Sequence, residues 1–110
     1  MTNLIDLRDT KAHMLSALNK AQEKRQERLA MVDTFDAWGY KTKVPEWHLY
    51  ELGTMLLEVN RFRTANKLSP IDIVQLQRVE SMACGHSDYS SKFALYCAEL
   101  AIKNVKEIKP

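Results

Sequence analysis

The chain has 110 residues with 16 basic and 14 acidic side chains, and its formal charge of +2 marks neither a nucleic-acid binder nor a strongly acidic mimic of DNA phosphate. Two cysteines are too few for a secreted disulfide scaffold. No run of about 18 apolar residues is present to span a membrane, and MTNLIDLRD lacks the pattern of a signal peptide, so a reducing cytoplasm is the expected location.

Three glycines and three prolines leave few breakers, so the elements should be few and long. The reading is one all-α domain over residues 1–110, a small bundle of about four helices with a long first helix. That helix is expected from about Asn3 to Trp38, with a break near Asp33. Leu4, Leu7, Met14, Leu18 and Ala21 form its apolar stripe, which resumes at Leu29, Val32 and Phe35. Between them lies a charged block with a basic strip, Lys20, Lys24, Arg25 and Arg28. It reads either as a solvated face or as a contact strip for an acidic partner or phosphates.

The second helix is expected from Pro45 to about Asn66, with Leu49, Leu52, Leu56, Val59 and Phe62 as its apolar row. The third opens on Ser69-Pro70-Ile71-Asp72, read as a capping hydroxyl, a first-turn proline and an acid three residues after the cap. Gly85 supplies the left-handed residue that ends it. The fourth helix is then expected from about Asp88 to Glu107, making a helical hairpin around Gly85. Within it FALYCAELAI is apolar nearly all round, which suits a central helix or, in part, an oligomer interface, the central helix being preferred.

The most chemical-looking stretch is Cys84-Gly85-His86. A zinc site wants about four ligands, and Cys97, His13 and His48 have no familiar spacing to complete one. Nor should Cys84 and Cys97 bridge, because Cys97 lies roughly 13 Å along the next helix. The stretch therefore reads as a bend. No phosphate loop or nucleophile elbow is present, so no catalytic residue, cofactor or metal is assigned and an enzyme is not expected. As a DNA-binding helix-turn-helix the bend fits poorly, since Asp88 would meet phosphate and Ser91 falls where an apolar residue is needed.

Five of the nine aromatic residues fall between Phe35 and Tyr50, including both tryptophans. Two readings of this link stand open. In one, Phe35, Trp38 and Trp47 plug an end of the bundle. In the other, Trp38, Tyr40, Lys41, Lys43 and Trp47 form a partner-binding surface, with Lys41 and Lys43 at its apex. The expected function is a non-enzymatic protein-binding module: an adaptor, regulator or inhibitor of a larger complex, with a homodimer allowed. The alternative is a nucleic-acid-binding regulator using Lys41, Lys43, Arg61, Arg63 and the basic strip.

Overall fold

The computed structural model describes residues 6–27 and 29–104. Helices α1 (Leu7–Gln22), α2 (Glu46–Ala65), α3 (Ile73–Ala83) and α4 (Tyr89–Ile102) carry most of the described chain. Between α1 and α2 lie a short 3-10 turn (Arg25–Glu27) and a two-stranded antiparallel hairpin, β1 (Met31–Phe35) and β2 (Lys41–Pro45). The mostly helical expectation holds; the all-α one does not.

The long first helix is the element that fails. Asp6 caps α1 by accepting from the Arg8 N–H at 2.8 Å, and Thr10, Met14, Leu18 and Ala21 are its buried row. Leu4 and Arg28 lie outside the described residues. No breaker stops α1 after Gln22, yet the chain turns there and Arg25 folds onto α2. Its guanidinium lies 4.1 Å from the Trp47 ring centroid and 3.5 Å from the Glu51 carboxylate. Leu29, Val32 and Phe35 are therefore not a continuation of a helical stripe.

The hairpin registers Met31 with Pro45, Val32 with Val44, Asp33 with Lys43, Thr34 with Thr42 and Phe35 with Lys41. β-branched Val32, Thr34, Thr42 and Val44 are half-buried, whereas Met31, Asp33, Phe35, Lys41 and Lys43 face water. That is the two-residue period of a strand pair with one face covered.

The later elements follow expectation with shifted ends. Pro45 caps α2 rather than lying inside its first turn. The cap of α3 is Asp72, not Ser69. Its carboxylate accepts from the Gln75 N–H at 2.9 Å while the Gln75 side chain accepts from the Asp72 N–H at 3.1 Å, a complete capping box. Gly85, at φ +93°, makes the bend between α3 and α4. Helix α4 ends at Ile102, and Glu107 lies outside the described residues.

Helix α4 packs on each of the other three helices and supplies Phe93, Ala94, Cys97, Ala98, Leu100 and Ala101 to the core. Met14 and Leu18 of α1, Leu52, Met55 and Val59 of α2, and Leu76 and Val79 of α3 close around it. Its alanines let neighbouring helices approach closely.

Polar groups that are buried or half-buried lock this body. Asn60 of α2 accepts from the Ile71 N–H at 2.8 Å and donates to the Ile71 carbonyl at 3.1 Å, which holds the α2–α3 connection. Arg63 is buried and donates to the carbonyls of Ser69, Leu100 and Lys103. It thus satisfies the C-terminal end of α4, where the helix dipole is negative. Desolvation holds its guanidinium below the ordinary arginine value.

Glu51 is 3 % exposed, and burial raises its carboxyl above the ordinary 4.5 against the opposing pull of Arg25. The folded state therefore binds this proton more tightly than the unfolded chain. The contribution to stability is greatest below the unfolded pKa and declines as pH rises from there through the folded one. Glu51→Gln should raise the melting temperature at neutral pH by a few degrees, since a neutral amide avoids the cost of burying the carboxylate. The gain should shrink toward pH 4, which thermal melts of both proteins across that range would measure.

Candidate protein-binding surface

Asp36-Ala37-Trp38-Gly39 makes the tip of the hairpin. Asp36 Oδ1 accepts from the N–H of Trp38 at 2.9 Å and of Tyr40 at 3.0 Å. The Asp36 carbonyl accepts from the Gly39 N–H at 3.1 Å, and Gly39 takes φ +89°. Asp at the first position and a left-handed Gly at the fourth are what a type I turn with a following bulge requires. The apex is this turn; Lys41 and Lys43 lie beyond it on β2.

The tip is pinned to α3. Gln77 donates to the Phe35 carbonyl at 3.2 Å, and the Arg78 guanidinium lies 5.1 Å from the Trp38 ring centroid. Between hairpin and helix runs a groove lined by Phe35, Ala37, Gly39, Leu49, Ile73, Val74 and Gln77. It is open to water, and its apolar residues Ile73 and Val74 are partly exposed.

The outward face of the ribbon is more exposed still. Phe35 is 56 % accessible, with Met31 and the preceding Leu29 similar, and Tyr40, just before β2, is 70 % accessible. Asp33 lies 3.8 Å from Lys43, both in water, so the pair is worth little. No ion-pair partner meets Lys41 among the described residues.

The chain matches no family model, no characterised protein and no solved structure.

Of the five residues expected to form a binding surface, Trp38, Tyr40, Lys41 and Lys43 come together on the hairpin. Trp47 does not join them. It sits in the first turn of α2, half-buried under Arg25 and edge-on to His48 at 5.8 Å. Phe35 plugs nothing; it faces water. Leu29, Met31, Ile73 and Val74 were not expected at the surface feature. The alternation through Val32, Thr34, Thr42 and Val44 and the Asp-x-x-Gly turn were the signals that point to them.

The basic strip is not one helical face. Lys20 and Lys24 are exposed, but α1 has ended before Lys24 and Arg25 is engaged with Trp47 and Glu51; Arg28 lies outside the described residues. Arg63 is buried against carbonyl groups, and Arg61 lies 3.5 Å from Glu58. Arg63 is therefore not free to contact phosphate, whereas Arg61 remains exposed on α2, away from the hairpin lysines.

Chemistry elsewhere is sparse. Cys84 is exposed at the α3 terminus, and Cys97 is a buried free thiol whose pKa burial pushes far up. Tyr89 donates to the Glu80 carboxylate at 2.8 Å, and burial followed by that charge holds its phenol well above the ordinary range. Among the described residues no group of three or more His, Cys, Asp or Glu side chains is placed to hold a metal ion, and no helix is long and apolar enough to cross a membrane.

Proposed function

We propose that the protein is a non-enzymatic cytoplasmic binding module, an adaptor, regulator or inhibitor that presents its hairpin to another protein. The observation that carries this reading is the exposure of Met31, Phe35 and Tyr40 beside Lys41 on one projecting ribbon. Aromatic side chains that remain in water after folding offer large contact area at low cost in conformational freedom. The helical body needs none of them for its own core, which closes around α4.

The test is the triple variant Tyr40→Ala, Lys41→Ala, Lys43→Ala. All three side chains face water, so its melting temperature should stay close to that of the parent. Affinity capture with the parent from its native lysate should return a discrete protein complex, unchanged by nuclease. The variant should bind that complex at least about 1 kcal/mol more weakly, the usual effect of losing an aromatic anchor. Equal capture by the two proteins would remove the hairpin from the interface. Capture lost on nuclease treatment, or declining steeply with salt, would favour the nucleic-acid alternative.

A further inference from the structure

We infer that the outer edge of β2 is a docking edge for an extended, acidic segment of a partner protein, which adds to the ribbon as a third strand. This rests on the reading of the hairpin as a partner surface and specifies how that surface is used.

The ribbon's own hydrogen bonds leave this edge unsatisfied. The Asp36 N–H donates to the Tyr40 carbonyl, and the Glu46 N–H donates to the Ala30 carbonyl. In an antiparallel pair, bonded and non-bonded residues alternate. With the observed register, Thr34–Thr42 and Val32–Val44 are then the bonded pairs, and Lys41 and Lys43 direct both N–H and C=O away from β1. The sheet has two strands, and no backbone group among the described residues pairs with those atoms. An extended peptide is the ligand that satisfies alternate donors and acceptors at this spacing. Pro45, without an N–H, sets the end of the usable edge.

The two edges are not equivalent. On β1 the Phe35 carbonyl is taken by Gln77 of α3, and the outward charge is Asp33. On β2 the outward charges are Lys41 and Lys43, on the face where an added strand would place its alternate side chains. Lys43 has only its exposed 3.8 Å pair with Asp33, and Lys41 meets no ion-pair partner among the described residues, so carboxylates opposite these lysines can pair with them. A second copy of this chain pairing edge to edge would instead set lysines against lysines, which edge strands use to discourage self-association.

The probe is a capped hexapeptide, Thr-Glu-Val-Glu-Val-Thr, titrated into the 15N-labelled full chain, with a lysine-for-glutamate counterpart as control. The largest amide shifts should fall on Lys41 and Lys43, whose amides should also exchange more slowly with solvent. The acidic peptide should bind at least about threefold more tightly than its basic counterpart. Lys41→Gln with Lys43→Gln should abolish that preference, and Lys41→Glu with Lys43→Glu should reverse it. Shifts centred on the groove at Ile73 and Val74, no shifts at millimolar peptide, or an unchanged preference in the substituted proteins would overturn the assignment. So would a dimer of the free chain that the peptide dissociates, because that gives the edge to a second copy. If the peptide fails while the triple variant still loses its complex, the hairpin remains the binding surface and only strand addition is lost.

Discussion

Leu100→Asp is expected to leave the chain unable to fold at room temperature. Leu100 is buried on α4, the helix that packs on all three others. A carboxylate there would enter a cluster of apolar side chains, and the buried guanidinium nearby, Arg63, already gives its donors to the carbonyls of Ser69, Leu100 and Lys103. Burying an unpaired charge costs several kcal/mol, comparable with the whole stability of a domain this size. The expected outcome is loss of the cooperative melt seen in the parent by far-UV circular dichroism. The control is Leu57→Asp on α2, where the side chain is 72 % exposed. That variant should melt within about 0.5 kcal/mol of the parent. A folded Leu100→Asp protein with parental stability would refute α4 as the centre of the core.

Arg63→Met should cost about 2–4 kcal/mol, read as a lower urea midpoint with an unchanged slope. Methionine keeps much of the apolar stem but donates nothing to the carbonyls of Ser69, Leu100 and Lys103, at least one of which is buried with its residue. Arg63→Lys should recover only part of the loss. An ammonium keeps the charge but cannot span three acceptors with a planar fork. If Lys restored full stability, the charge at the end of α4 would matter and the geometry of the fork would not. If Met were neutral, the three carbonyls would be satisfied in some other way.

Two kinds of signal decided what was readable from the chain. Helices α2, α3 and α4 were legible because their apolar residues recur every three or four positions and because Gly85 marks a stop by steric rule alone. The hairpin was not, because Leu29, Val32 and Phe35 also lie three apart and fit a helical stripe by accident. The competing alternation was shorter, and only the Asp36 to Gly39 turn distinguishes the two. The end of α1 had no local signal at all. It follows from Arg25 meeting Trp47 and Glu51, residues more than twenty positions away that no periodicity connects. Arg63 looked like a surface cation for the same reason: its acceptors lie up to 40 positions along the chain. For the candidate site, the density of aromatics singled out the right segment. Which rings face water was set by strand register and by cations from other elements, so Trp47 was misplaced beside Tyr40.

The attachment of the hairpin has a further consequence. Its tip meets α3 through Gln77 and Arg78, while the four helices share a continuous apolar core. The ribbon, half-buried on one face only, is therefore expected to open more readily than the helices. Amides in α4 should report global unfolding, whereas those of Thr34 and Thr42 should report a smaller opening that leaves the helices in place, which native-state hydrogen exchange would measure. Each part also carries its own indole: Trp38 rests against α3 at the hairpin tip, and Trp47 belongs to the helical body. Separate fluorescence transitions for the two would follow directly, with the ribbon releasing first. Outward residues of the ribbon are correspondingly free to vary without disturbing the helices, so recognition at this surface is separable from the stability of the fold that carries it.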